Sequence, residues 1–201
     1  MLSNKNNYLK LNQFMKLSVL LSALLFIGFC NSIDAQKKVA GVNFPAVMKV
    51  NKKVVTFNGG GLREKYTIDL YVVGLYLRKP SMNSEKVLNS TDEMAMRIKI
   101  VSSKVTRDKF VESVKEGFIK SPGATKQNIK DFMKFYADPF KKGDEILLVY
   151  KPGVGTVFYK NKEKRGVISD SNKNFKKALF GIWLGDKPAD KKLKLKLLGK
   201  I

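Results

Sequence analysis

Arg63 is the residue of this chain best placed to do chemistry. It follows the glycine run Gly59-Gly60-Gly61 and Leu62, and it precedes a β-rich tract from Thr67 to Leu77 that ends Val73-Gly74-Leu75-Tyr76-Leu77. A guanidinium is always charged and presents a planar fork of donors, so it suits a carboxylate or another oxyanion. Tyr71, further along the same tract, adds a neutral phenol donor. Other catalytic equipment is scarce. The sequence contains no histidine, and its one cysteine, Cys30, lies in an N-terminal apolar stretch. Beyond that stretch, thiol chemistry, histidine general-base catalysis, Ser-His-Asp triads and the usual zinc sites are excluded by inventory. Asp, Glu, Lys, Arg, Tyr, Ser and Thr remain, and no metal or cofactor is expected.

The elements that position these residues follow from periodicity. Short strands are predicted at Val39–Val42, Val47–Val50 and Val54–Phe57, with Asn51-Lys52-Lys53 as a hairpin turn and Asn58-Gly59-Gly60-Gly61 as a break. A long strand, Tyr66–Leu77, puts Asp69 and Tyr71 on one face. Tyr76, on the opposite face by parity, reads as packing. Met94–Val101 alternates apolar residues with Arg97 and Lys99, as a strand with one solvated face does. A helix capped by Thr106 buries Phe110, Val111, Val114 and Phe118, and Ser121-Pro122-Gly123 breaks it. A second helix carries Ile129, Phe132, Met133 and Tyr136. Strands at Glu145–Tyr150, Thr156–Lys160 and Lys164–Ile168 follow. A helix then starts at Ser171 or Asn172 and runs through Trp183, and a last one runs from Pro188 to Leu198. This order of strands and helices implies an α+β domain, an antiparallel sheet with helices on one face.

The first 35 residues read as a secretory signal. Lys16 precedes an apolar core from Leu17 to Cys30, too short to span a bilayer comfortably, and Ile33-Asp34-Ala35 offers a cleavage site. Met15 is an alternative start, and a lipid anchor on Cys30 is the competing reading, opposed by the bulk of Phe29. Residues 36–201 then form one domain, secreted or periplasmic, and long enough to bury a core without disulfides. The net charge is +22; Lys5, Lys10, Lys16 and Asp34 contribute +2 of it, leaving about +20 for the domain. Such a field attracts polyanions and anionic lipid headgroups. The lysines are scattered, however, so general surface charge is the simpler reading. Peripheral contact with an anionic membrane is the partner it allows, and nucleic acid is not expected. The sequence does not fix the oligomeric state.

The tract Asn58-Gly59-Gly60-Gly61-Leu62-Arg63, with Tyr71-Val72-Val73-Gly74-Leu75-Tyr76-Leu77 after it, resembles the Gly-x-Arg turn and following strand of the chalcone isomerase family. Gly143-Asp144, Tyr150-Lys151-Pro152-Gly153-Val154-Gly155-Thr156 and the stretch Phe175 to Gly185 agree in order, and together they resemble bacterial secreted chalcone isomerase-like proteins. The resemblance spans about Val39 to Leu198. It implies an open-faced β-sandwich, a large antiparallel sheet with helices packed on it and a ligand cleft between. In the plant enzymes of the family an Arg holds a phenolate that attacks an enone, and hydroxyl and amide side chains complete the cleft. Arg63 matches that Arg. The other positions fall at Tyr71, near Thr106 and Ser113, and near Ile182, and they depart from the enzyme pattern. The resemblance therefore implies binding of a fatty acid or similar apolar anion, with Arg63 and Tyr71 as donors and Thr106 and Ser113 as further cleft residues. An isomerase or intramolecular lyase using Arg63, and a partner-binding domain with no small ligand, are the alternatives. Each residue also has a plainer reading: Arg63 paired with Asp69, Tyr71 in the core, Thr106 as a cap, Ser113 on a helix surface and Trp183 as a core anchor. Glu64 and Lys65 read as exposed turn residues.

Overall fold

In a computed structural model of the chain, residues 35–169 and 174–201 are described. The N-terminal leader with Cys30 and the Ser171 or Asn172 helix start lie outside the described residues.

Seven strands form one antiparallel meander in chain order: β3 (Val47–Val50), β4 (Lys53–Lys65), β5 (Ile68–Leu77), β6 (Met94–Ile100), β7 (Glu145–Lys151), β8 (Gly155–Lys160) and β9 (Glu163–Ile168). Hairpin turns account for much of this order. Asn51-Lys52 and Asn161-Lys162 take positive φ at both central residues, the geometry whose twist matches paired strands. A separate hairpin, β1 (Gln36–Val39) with β2 (Val42–Pro45), precedes the sheet. The strand expected at Val39–Val42 is in fact the turn of this hairpin, because Ala40 and Gly41 reverse the chain at φ 44° and 80°. The helices are α1 (Ser84–Asn89), α2 (Arg107–Lys120), α3 (Lys126–Phe135), α4 (Asn174–Leu184) and α5 (Lys191–Leu197).

The strand alternation sorts side chains into two cores. Val73, Leu75, Met96, Ile98, Ile146 and Leu148 face the helices and pack with Phe118 of α2, Phe132 of α3 and Phe175 and Leu179 of α4. On the other face Val55, Val72, Tyr76, Ala95 and Val149 pack under Phe44 of the β1–β2 hairpin. Tyr76 is fully buried there, edge-on to Phe57, and burial pushes its phenol up. Arg97, on the same side, donates to the Asn43 carbonyl at 3.0 Å and to Glu145 at 2.6 Å, and its guanidinium stacks on Phe44; it ties the hairpin to the sheet.

Two further local expectations are corrected, and one helix is new. The glycine run is the middle of the longest strand, β4, and it is paired with β5 from Gly59↔Leu75 to Gly61↔Val73. A Cβ on Gly59 would meet the Lys196 and Leu197 carbonyls, and one on Gly61 the Lys196 and Leu193 side chains, so the missing side chains let α5 lie directly on the strand. The last helix begins at Lys191 under an Asp190 cap rather than at Pro188. Helix α1 was not anticipated. Asn83 caps its start, and at its end the fully buried Lys176 of α4 donates to the Val87, Leu88 and Ser90 carbonyls, each at 3.0 Å. Those terminal carbonyls have no partner inside the helix, and a cation suits them.

Candidate functional site

Between the helix-side face of the sheet and helices α2 and α4 lies a cavity of about 480 Å³. Its sheet wall is Leu70, Ile98, Ile100 and Ile146. Its helix wall is Val105 just before α2, Phe110 and Val114 of α2, and Ile182 and Trp183 of α4. Gly117 of α2 stands where a Cβ would strike Ile182, which sets how closely the two helices approach beside the cavity. The volume falls within the roughly 300–1,000 Å³ of ligand pockets, and an apolar wall with few convergent polar groups is the usual composition of one.

The polar groups come from both ends of a strand pairing. Arg63 of β4 and Tyr71 of β5 are directly opposite in register, so both side chains stand on the cavity face. Pairing of this kind is invisible to spacing along one strand; it depends on the turn at Tyr66-Thr67 and on the irregularity between Arg63 and Glu64. Tyr71 Oη accepts a hydrogen bond from Trp183 Nε1 at 3.1 Å. Burial pushes the Tyr71 phenol above its ordinary value. The Trp183 hydrogen bond and the Arg63 charge oppose that rise, and the Asp190 charge adds to it. The phenol is thus neutral near pH 7, and its own O–H can still be donated.

Arg63 is not paired with Asp69, which lies exposed on the β4–β5 hairpin. Its Nη1 donates to Asp190 at 3.1 Å and to the Glu64 carbonyl. Asp190 does two things at once: Oδ1 accepts from the Leu193 N–H at 2.9 Å and caps α5, and Oδ2 holds Arg63. The ion pair is mostly covered, each side chain being under one-fifth exposed. The guanidinium also lies within hydrogen-bond reach of the Tyr71 phenol, so the cation and the phenol form one polar cluster at this end of the cavity.

The remaining expected site residues separate. Ser113 lines the cavity from α2. Thr106 is the N-cap of that helix, its Oγ1 accepting from the Lys109 N–H at 3.4 Å, and it is absent from the cavity wall. Sequence reasoning missed Asp190 and the cavity role of Trp183. An Asp three residues before Leu193 is a cap signal, so the helix start was legible, but the reach to Arg63 was not. Lys65, Lys104, Lys109, Lys120 and Lys187 also border the cavity, against Glu112 and Glu116. The arrangement is an apolar chamber with a guanidinium and a phenol at one end and a cationic rim.

A sequence profile described as chalcone isomerase-like matches residues 36–199. No curated protein matches by sequence. Among solved structures, the crystal structure of a fatty-acid binding protein of Arabidopsis thaliana superposes with a TM-score of 0.60 at 20% identity, over 79% of this chain and 92% of that one. At that identity the likeness speaks for the fold, and it agrees with the seven-stranded curled sheet and its helical layer. With the profile covering the described domain nearly from end to end, the chain belongs to the chalcone isomerase-like family.

Proposed function

We propose that this protein binds a fatty acid or a similar apolar anion in the chamber between sheet and helices, and that it does so without transforming it. The observation that carries this reading is the apolar cavity of about 480 Å³ with Arg63 and Tyr71 at one end of it. An alkyl tail gains about 0.8 kcal/mol per methylene buried. The wall of Ile98, Ile100, Ile146, Val114 and Ile182 supplies the surface for that burial. The carboxylate would meet the Arg63 guanidinium and the Tyr71 hydroxyl, bonds that orient the ligand more than they hold it. The structural neighbour is itself a fatty-acid binding protein, which supports the same reading.

Cyclising an enone asks for more, since attacking oxygen and acceptor carbon must be held in near-attack geometry. The neutral polar side chains on the cavity wall are Tyr71, Tyr66 and Ser113, with Trp183 already donating to Tyr71. We further read residues 1–35 as an export signal, so that the chamber operates outside the cytoplasm.

The test is lipid extraction and native mass spectrometry of the purified protein, followed by calorimetric titration with oleate. A bound acid and a saturable titration are expected. Arg63→Ala should weaken oleate roughly ten- to hundredfold, the equivalent of about 1.5–3 kcal/mol for hydrogen bonds to a charged group. Ligand-free protein with no affinity for long-chain acids would remove the reading.

A further inference from the structure

The rim of the chamber carries a feature that ligand binding inside it does not use. Tyr66 and Thr67 form the two-residue turn between β4 and β5, both at positive φ (51° and 61°). Hairpin turns of this type favour Asn and Gly, and a bulky or β-branched residue there is strained. Tyr66 is 85% exposed, and its contacts among the described residues are local: the Thr67 hydroxyl donates to its carbonyl at 2.6 Å, and Lys65 Nζ lies 5.5 Å from its ring centroid. Ile68, the first residue of β5, is also exposed on the same turn. Five exposed lysines border the same cavity as this aromatic and aliphatic tip: Lys65 on β4, Lys104 before α2, Lys109 and Lys120 on α2, and Lys187 after α4. The rim carboxylates are Glu112 and Glu116, with Glu64 and Asp69 on the hairpin itself.

An amphipathic ring with a protruding tyrosine is the chemistry that docks on a bilayer. Lysines lose counterions against anionic headgroups, and an amphipathic aromatic favours the boundary between headgroup and acyl chain. We propose that the β4–β5 turn and the lysines around it form a docking surface for an anionic lipid bilayer, which brings the mouth of the chamber against the membrane. The occupant is the bilayer surface itself, argued from the charge of the rim and from the apolar tip at its centre. A nucleic acid would meet the same cations, but it has no use for Ile68, and among the described residues no aromatic ring pairs with Tyr66 to build a base platform.

The experiment is sedimentation of the purified protein with vesicles of phosphatidylcholine alone and of phosphatidylcholine mixed with phosphatidylglycerol, at low and high salt. Binding to the mixed vesicles only, weakened by salt, is expected. Tyr66→Ser with Ile68→Ser should lower that binding roughly tenfold, and Lys104→Ser with Lys109→Ser should do the same. Lys162→Ser with Lys164→Ser removes equal charge from the β8–β9 hairpin, outside the cavity rim, and should change little. Equal binding to both vesicle types, equal loss in the Lys162 and Lys164 pair, or no loss in the Tyr66 and Ile68 pair would overturn the proposal. A short DNA duplex bound through the same residues would overturn it too, by assigning the rim to another polyanion. Uptake of oleate by a protein that ignores vesicles leaves the chamber reading standing and removes this one; vesicle binding by a protein that takes up no oleate does the reverse.

Discussion

At the scale of single residues the proposed acid binding sets up a competition between two carboxylates, the ligand's and that of Asp190, for one guanidinium. Asp190 already satisfies part of Arg63, and under the proposed function an incoming acid would have to share it. Coulomb attraction between partly covered charges is reduced when a third charge of the wrong sign stays nearby. Asp190→Asn keeps a good helix cap, because Asn serves that position as well as Asp, but it removes the rival charge. We expect oleate affinity to rise several-fold by calorimetry. Thermal stability should fall only slightly, about 1 kcal/mol or less, the scale of an incompletely buried ion pair. A fall in affinity would mean that Asp190 positions Arg63 rather than restrains it. Tyr71→Phe makes the opposite trade. It deletes a donor to the ligand and strands the Trp183 N–H, so it should weaken oleate about fivefold and destabilise the fold by about 1–3 kcal/mol. Trp183 is the one tryptophan of the chain, so its emission reports both effects without a label.

At the scale of elements the glycine-rich strand links stability to the site. Helix α5 rests on Gly59 and Gly61, and the residue that starts α5 is the one that grips Arg63. Gly59→Ala places a methyl against two helix carbonyls. It should cost about 1–3 kcal/mol in denaturant unfolding, as overpacking does, and should weaken oleate as α5 is lifted and Asp190 with it. Unchanged stability would show that α5 moves freely on the sheet. The same strand marks where the sequence stops being legible. Alternation in β6 and the Thr106 cap of α2 were readable because their causes are local: side-chain period and a hydroxyl next to free N–H groups. Gly59-Gly60-Gly61 was read as a break because glycine carries no side chain to show a period. The reason for it, a helix some 130 residues later in the chain, is non-local. The Arg63–Asp190 pair was hidden for the same reason, whereas the Arg63 and Tyr71 pairing needed only the strand register. Helix α1 was missed because its end depends on Lys176, which arrives from a distant segment.

At the scale of the whole molecule the chamber opens between the sheet and parts of α2 and α4 and leaves part of the helix-side core unfilled. Phe118, Phe132, Phe158 and Phe175 interlock on the α3 side, while the α2 and α4 walls near Arg63 enclose the cavity instead. A void of this kind forfeits dispersion contacts that a guest restores. The cost should therefore appear as stability that depends on ligand. A guest that binds the folded state alone stabilises it by about 2.7 kcal/mol at a hundred times its dissociation constant. For a domain of this size that corresponds to a rise in melting temperature of roughly 5–10 °C. Stripping lipid from the purified protein should lower the melting temperature, and oleate should restore it in a concentration-dependent way. Arg63→Ala should need correspondingly more oleate for the same rise, since it acts on affinity and leaves the apolar wall intact. A melting temperature indifferent to oleate in the parent protein, with the chamber demonstrably stripped, would mean that the void is filled by relaxation of its own walls. The family fold would then stand without a guest.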